Sequence, residues 1–139
     1  MNVSFENQVA LVTGADSGIG RATVKAFAEA GAAVVLASRH EEQLRAYAEE
    51  LTRAGHRALA VRCDVTNEQQ VAALVDRTVA AFGRLDVAFN NAGVQSPIAE
   101  TADASGEEFD RVNAINLRGI WSCMKYELRQ MRKQRMGAT

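Results

Sequence analysis

The sequence predicts an α/β fold, a doubly wound parallel sheet of Rossmann type made of four successive strand–helix units. Three observations predict it: short runs that are apolar throughout, longer segments of helical periodicity between them, and glycines where several of those segments end. Strands that are apolar throughout are buried on both faces, as in parallel sheets, and right-handed crossovers place helices on both sides. The 139 residues suffice for one domain, residues 1–139.

Four strands and four helices follow from these patterns. The strands are predicted over residues 9–13, 34–37, 58–62 and 87–90, and the helices over residues 18–31, 41–55, 67–83 and 107–135. Thr66 or Asn67 is expected to cap the third helix, and Gly83 to end it.

Apolar stripes indicate which side of each helix is buried. In the first helix the stripe is Ala22, Ala26, Phe27 and Ala30. In the last helix the residues predicted to face inward are Leu117, Ile120, Trp121, Met124, Leu128 and Met131.

Composition excludes several functional classes. With 16 basic and 17 acidic residues, the chain has no charge bias that favours nucleic acid or a membrane surface. Its longest apolar run, residues 32–37, is too short to cross a bilayer, and the first eight residues lack a signal-peptide core, so a cytoplasmic protein is expected. Cys63 and Cys123 lack metal-binding or redox spacing, so we expect no metal site and two small buried thiols.

A glycine-rich turn joins the first strand to the first helix. There, free backbone N–H groups and the positive helix end favour a pyrophosphate, and glycines let it approach the main chain. A flexible turn is the alternative, but the strand–helix context favours the nucleotide. The residues expected to contact it are Gly14, Asp16, Ser17, Gly18, Ile19 and Gly20.

Two motifs in register make the chain resemble the short-chain dehydrogenase/reductase (SDR) family. The first is Thr-Gly-x3-Gly-x-Gly at residues 13–20, and the second is Asn-Asn-Ala-Gly at residues 90–93, ending the fourth strand. At that strand end, Asn91, Ala92 and Gly93 are expected to contact the nucleotide, while Asn90 ties neighbouring strands together. An Asx turn alone would explain one Asn-Gly pair, but not both motifs.

The resemblance assigns the adenine to the end of the third strand. Asp64 and Val65 match the pair of residues that contact it, with Asp64 accepting a hydrogen bond from the adenine amino group. Taken alone, an aspartate at this position is more often a cap at the approach to the next helix.

The end of the second strand predicts a preference for NADP(H), with NAD(H) possible. Ser38 stands where relatives that prefer NAD carry an aspartate, and Arg39 can bind a 2′-phosphate. Two observations weigh against this preference: Arg39 can instead stack on the adenine of either cofactor, and the glycine turn carries Asp16 and Ser17 rather than a basic residue.

The resemblance implies hydride transfer between the nicotinamide cofactor and a small alcohol or carbonyl substrate. Asn116 matches the catalytic asparagine of the family's Asn-Ser-Tyr-Lys set; its alternative is a polar residue on an exposed helix face. Neither Tyr47 nor Tyr126 begins the Tyr-x3-Lys pattern, so the chain is expected to stop before the fifth strand and the catalytic Ser, Tyr and Lys, and to be inactive alone. A non-catalytic nucleotide-binding or interaction module is the alternative. Family members are commonly homotetramers or homodimers, joined by the long helices.

Overall fold

The computed structural model describes residues 2–137 of the chain, apart from the side chains of residues 136 and 137. Four parallel strands form its sheet in the order β3-β2-β1-β4: β1 (Val9–Thr13), β2 (Ala33–Ser38), β3 (Ala58–Arg62) and β4 (Val87–Asn90). The strand order reverses between β1 and β4, and in open α/β sheets ligands bind at such a switch point. The predicted doubly wound Rossmann-type sheet is therefore confirmed.

Helices cover both faces of this sheet. They are α1 (Gly18–Glu29), α2 (Glu41–Arg53), α3 (Glu68–Phe82), α4 (Gly106–Asn113) and α5 (Ile120–Gly137), with a short 3-10 turn at Thr101–Asp103. A π-helical turn, Ala114–Gly119, joins α4 to α5, so the predicted helix over 107–135 is interrupted. The third helix is capped by Asn67, whose side chain accepts a hydrogen bond from the Gln70 N–H, and Gly83 ends it in the left-handed region.

Two hydrophobic cores lie on opposite faces of the sheet because successive strand residues point to opposite sides. Along β1, Ala10 and Val12 belong to the core under α1 and α2, whereas Leu11 belongs to the core under α3 and α5. Strands β1 and β2 are buried throughout, but β3 and β4, at the edges of the described sheet, are only partly buried.

Two predicted stripes were wrong in part, although Phe27 and Met131 pack against the cores as expected. In α1 the buried residues are Gly20, Val24 and Ala28, whereas Ala22 and Ala26 are exposed. In the last helix four residues expected to face inward are exposed: Leu117, Trp121, Met124 and Leu128. The buried side of α5 instead carries smaller and polar residues: Ser122, Cys123 and Glu127.

The two cysteines are free and buried, as the sequence indicates. Burial raises the pKa of the Cys63 thiol to about 11 and that of Cys123 to about 12, so both remain protonated thiols near neutral pH. Within residues 2–137, no helix is long and apolar enough to cross a membrane, and no three His, Cys, Asp or Glu side chains are grouped so that they could hold a metal ion.

Candidate functional site

A cavity of about 380 Å³ opens at the carboxyl ends of the four strands. Its size falls within the range of small-molecule sites, and its position matches the ligand crevice of open parallel sheets. Every predicted nucleotide contact lines it except Gly20, which lies beneath the glycine turn. The lining also includes residues that were not predicted, among them Thr13, Val94 and Ile115.

The glycine turn requires its glycines for two different reasons. Gly14 and Gly18 adopt φ of 62° and 53°, which side chains rarely tolerate. At Gly20 the limit is space, because a Cβ there would lie 2.0 Å from the Gly14 carbonyl oxygen. A Cβ on Gly18 would meet nothing within 4 Å, so the turn is open on that side.

The first turn of α1 keeps its N–H groups available. Ser17 is the N-cap residue, yet its side chain makes no capping hydrogen bond to this helix. The unsatisfied N–H groups and the positive end of the helix dipole therefore face the open side of the turn, as a phosphate group requires. The donor set fits the pyrophosphate of a dinucleotide.

The end of β4 is tied to the glycine turn by Asn91. Its Nδ2 donates to the carbonyl oxygens of Thr13 and Gly14, each at 3.3 Å, and the Ala92 N–H donates to Thr13 Oγ1 at 3.0 Å. The interstrand tie that we expected from Asn90 is therefore made by Asn91. The Asn90 side chain faces Glu127 instead, and its Oδ1 is buried without a hydrogen-bond partner among the described residues.

Strand β2 ends at Ser38, and Arg39 and His40 connect it to α2. Ser38 is buried, and its Oγ accepts a hydrogen bond from the His40 backbone N–H at 3.0 Å. Arg39 is exposed at the rim of the cavity. The His40 imidazole Nδ1 lies 2.7 Å from Asp16 Oδ2 of the glycine turn, a contact that the sequence did not predict.

Asp64, which follows the end of β3, makes a local cap and also lines the cavity. Its Oδ1 accepts hydrogen bonds from the Thr66 N–H and hydroxyl, a local cap ahead of α3, while the residue also lines the cavity with Val65. Burial alone would raise the pKa of Asp64, but the Thr66 hydrogen bonds and the charges of Arg39 and Arg62 hold it below its ordinary value. Asp64 is therefore an anionic acceptor near neutral pH.

Asn116 lies in the π-helical turn and clamps the loop after β4. Its Oδ1 accepts from the Val94 N–H and its Nδ2 donates to the Val94 carbonyl oxygen, both at 2.8 Å. Among the described residues, the Asn113 side chain bonds only within its own helix, to the Phe109 carbonyl oxygen. The π turn thus fixes the backbone that follows Gly93.

The hydroxyl groups of the two tyrosines, Tyr47 and Tyr126, form hydrogen bonds away from the cavity. Tyr47 is buried in the core under α1 and α2, with its hydroxyl donating to the Arg21 carbonyl oxygen at 3.3 Å. The Tyr126 hydroxyl donates to Glu68 Oε1 at 2.9 Å, in a cluster with Lys125 that joins α3 to α5. Neither residue lines the cavity.

Comparisons with known proteins identify the family of this chain. The sequence model of the short chain dehydrogenase family matches residues 8–139. A cis-4-hydroxycyclohexanecarboxylate dehydrogenase from Sinomonas cyclohexanicum is 47% identical over 138 residues, which are 99% of this chain and 55% of that protein. The mitochondrial (-)-isopiperitenol/(-)-carveol dehydrogenase of Mentha piperita is 46% identical over 126 residues, 89% of this chain and 47% of its own length.

A solved structure shares the fold. The short-chain type dehydrogenase/reductase from Mycobacterium marinum matches with a TM-score of 0.90 at 37% sequence identity, over 94% of this chain and 53% of that one. The chain thus spans about half the length of the curated relatives that it matches. The resemblance carried by the two motifs is confirmed: the chain belongs to the short-chain dehydrogenase family, whose members use nicotinamide cofactors.

Proposed function

We propose that the protein is an NADP(H)-preferring oxidoreductase that moves a hydride between its cofactor and a small alcohol or carbonyl compound. This chain supplies the cofactor site. The relatives named above are dehydrogenases, which supports the reaction class. The bound nicotinamide would accept or supply the hydride, while this chain's residues bind and orient the cofactor.

The proposed contacts follow the four strand ends. Backbone N–H groups at the start of α1, with the Ser17 hydroxyl, would hold the pyrophosphate. The Asp64 carboxylate and the Val65 side chain would contact the adenine, and Asn91 to Gly93 would support a ribose. Asn116, in the π turn that fixes Val94, is proposed to act on the substrate side of the site.

The preference for NADP(H) depends on one observation, the pair Ser38 and Arg39 at the end of β2. Ser38 is buried and offers no carboxylate to repel a 2′-phosphate, while Arg39 stands exposed beside it at the cavity rim. A guanidinium binds phosphate oxygens through two parallel hydrogen bonds, which favours the phosphorylated cofactor.

Cofactor titration of the full-length protein tests this proposal. We expect Arg39→Gln to weaken NADPH binding about tenfold or more, since a charged hydrogen bond contributes about 1.5–3 kcal/mol, and to leave NADH binding within about twofold. Arg45→Gln is the matched control, because Arg45 is an exposed arginine of α2 that pairs with Glu41. Equal weakening of both cofactors would instead identify Arg39 as an adenine-stacking residue.

A second candidate function is nucleotide binding without catalysis. It is favoured by the engagement of Tyr47 and Tyr126 away from the cavity, which leaves neither as the proton donor that the reaction requires. We therefore propose that these 139 residues do not catalyse hydride transfer by themselves. Cofactor binding without turnover of any alcohol or carbonyl by the full-length protein would favour the second function.

We also propose that the protein forms a homo-oligomer, a dimer or tetramer, through the outer side of its long helices. Four large apolar residues along the π turn and α5 are exposed there: Leu117, Trp121, Met124 and Leu128. Contiguous exposed apolar residues of this kind are typical of an interaction surface. A cytoplasmic location stays a prediction from the sequence.

A further inference from the structure

The pairing of Asp16 with His40 joins two segments that meet at the cavity rim. Asp16 belongs to the turn before α1 and His40 to the start of α2, and their side chains are 15% and 58% exposed. The imidazole Nδ1 lies 2.7 Å from Asp16 Oδ2, and because a carboxylate can only accept, the imidazole is the donor. The Asp16 side chain is therefore mostly covered, whereas the imidazole in contact with it is exposed.

The charge of Asp16 conflicts with a phosphate ligand. Asp16 lines the same cavity as Arg39, so an unpaired carboxylate there would oppose the attraction between Arg39 and a 2′-phosphate. The same carboxylate, if free, is an acceptor suited to the two hydroxyls of an unphosphorylated ribose. The contact between His40 and Asp16 therefore affects which of the two cofactors the site prefers.

The backbone holds His40 where this pairing requires it. The His40 N–H donates to the buried Ser38 Oγ at 3.0 Å, which fixes the turn between β2 and α2. Ala15 is fixed in the same way, since its N–H donates to the Ala37 carbonyl oxygen at 3.2 Å. The turn that carries Asp16 and the turn that carries His40 are thus both hydrogen-bonded to β2.

We propose that Asp16 and His40 together are a second determinant of cofactor specificity. The imidazole holds the Asp16 carboxylate by a hydrogen bond and screens its charge, so that the charge of Arg39 remains effective toward a 2′-phosphate. Without His40, the carboxylate is free to accept hydrogen bonds from the ribose of NAD(H). This inference rests on the proposed cofactor site and assigns a role to two residues within it.

A double-mutant cycle on the full-length protein tests the inference. Dissociation constants for NADPH and NADH are measured by the fluorescence of the reduced cofactors for the wild type, His40→Ala, Asp16→Asn and the double variant. We expect His40→Ala to weaken NADPH binding about twofold to fivefold, because the Asp16 charge at this solvent-exposed site then acts on the 2′-phosphate without the imidazole hydrogen bond, and to leave NADH binding unchanged or tighter. In the Asp16→Asn background, His40→Ala should have no effect on NADPH binding.

Controls separate this effect from a general disturbance of the fold. His56→Ala removes the other histidine, and Glu42→Gln removes an acidic residue of the first turn of α2; neither should change the ratio of the two dissociation constants. His40→Gln keeps a side-chain donor and should restore part of the NADPH affinity lost in His40→Ala. The thermal midpoint of each variant shows whether it is folded.

The outcomes distinguish this inference from the function on which it rests. If the wild type binds neither cofactor, the proposed function fails, and this inference fails with it. If the wild type binds cofactor but His40→Ala leaves the NADPH-to-NADH ratio unchanged, the inference is overturned while the proposed function stands. Weaker NADH binding in Asp16→Asn would also overturn it, because Asp16 would then bind the ribose in the wild type.

Discussion

Replacing Glu127 by glutamine should stabilise the protein, and increasingly so as the pH rises. Glu127 lies on the sheet side of α5, is 2% exposed, and its two carboxyl oxygens have no hydrogen-bond partner by distance and angle among the described residues. Burial raises the pKa of Glu127 from 4.5 to about 7, and the neighbouring Asn90 amide offsets only part of this shift. A glutamine has nearly the same shape but no charge to bury.

The size of the effect follows from the linkage between pKa and stability. Below about pH 4.5 the carboxyl is neutral in the folded and unfolded protein, so this residue gives no pH dependence there. Between pH 4.5 and about 7 only the unfolded protein ionises it, so the free energy of unfolding falls by about 1.4 kcal/mol per pH unit. Above pH 7 the full loss, about 3 kcal/mol, remains.

Urea unfolding at a series of pH values measures this loss directly, with the single tryptophan, Trp121, as the fluorescent probe. We expect the unfolding midpoint of Glu127→Gln to exceed that of the wild type by about 1 M or more at pH 8, and the two midpoints to converge near pH 4.5. Glu49→Gln, an exposed glutamate of α2, is the control and should follow the wild type at every pH. A midpoint difference that is the same at pH 4.5 and pH 8 would refute the reasoning.

Two further predictions concern the glycine turn and the exposed helix face. Gly20→Ala should destabilise the protein by about 3 kcal/mol or more and abolish cofactor binding, because its Cβ would lie 2.0 Å from a carbonyl oxygen of the turn. Thermal unfolding checks this, and Gly106→Ala, where a Cβ meets open space in α4, should be neutral or slightly stabilising. Leu128→Gln should lower the oligomeric state of the full-length protein in light scattering, since it removes an exposed apolar contact, whereas Arg132→Gln on the same helix should not. An oligomer unchanged by Leu128→Gln would mean that the contact lies elsewhere.

The sequence predicted the sheet and the glycine turn well because both have strong local causes. Continuous apolar runs allow little besides buried strands, and β1 and β4 begin and end at the predicted residues. Gly14 and Gly18 adopt positive φ, which few other residues tolerate, so glycine at these positions indicates the turn directly. In α2 the apolar residues that recur at helical spacing are the buried ones: Leu44, Tyr47, Ala48 and Leu51.

The last helix was predicted poorly because hydrophobicity alone does not say what covers a helix face. The π turn adds residues per turn and changes which side of α5 faces the sheet, so Trp121 and Met124 point outward while Cys123 and Glu127 face inward. A buried glutamate gives no signal in an apolar pattern. That Asn91 rather than Asn90 ties the two strand ends together was also beyond the sequence, since adjacent residues at a strand end differ only in the side to which they point.

The π turn, which interrupts the helix predicted over residues 107–135, is also part of the candidate site. Gly119, within this turn, has no side chain, and a Cβ there would lie 2.7 Å from Val65 Cγ2, so the turn approaches the end of β3 closely. On the same turn Asn116 fixes both backbone groups of Val94, and Ile115 reaches the cavity. A regular α-helix would shift the directions of these side chains relative to one another, because π turns change the number of residues per turn. The irregular turn that interrupts the predicted helix is therefore the part of it that reaches the edge of the cavity.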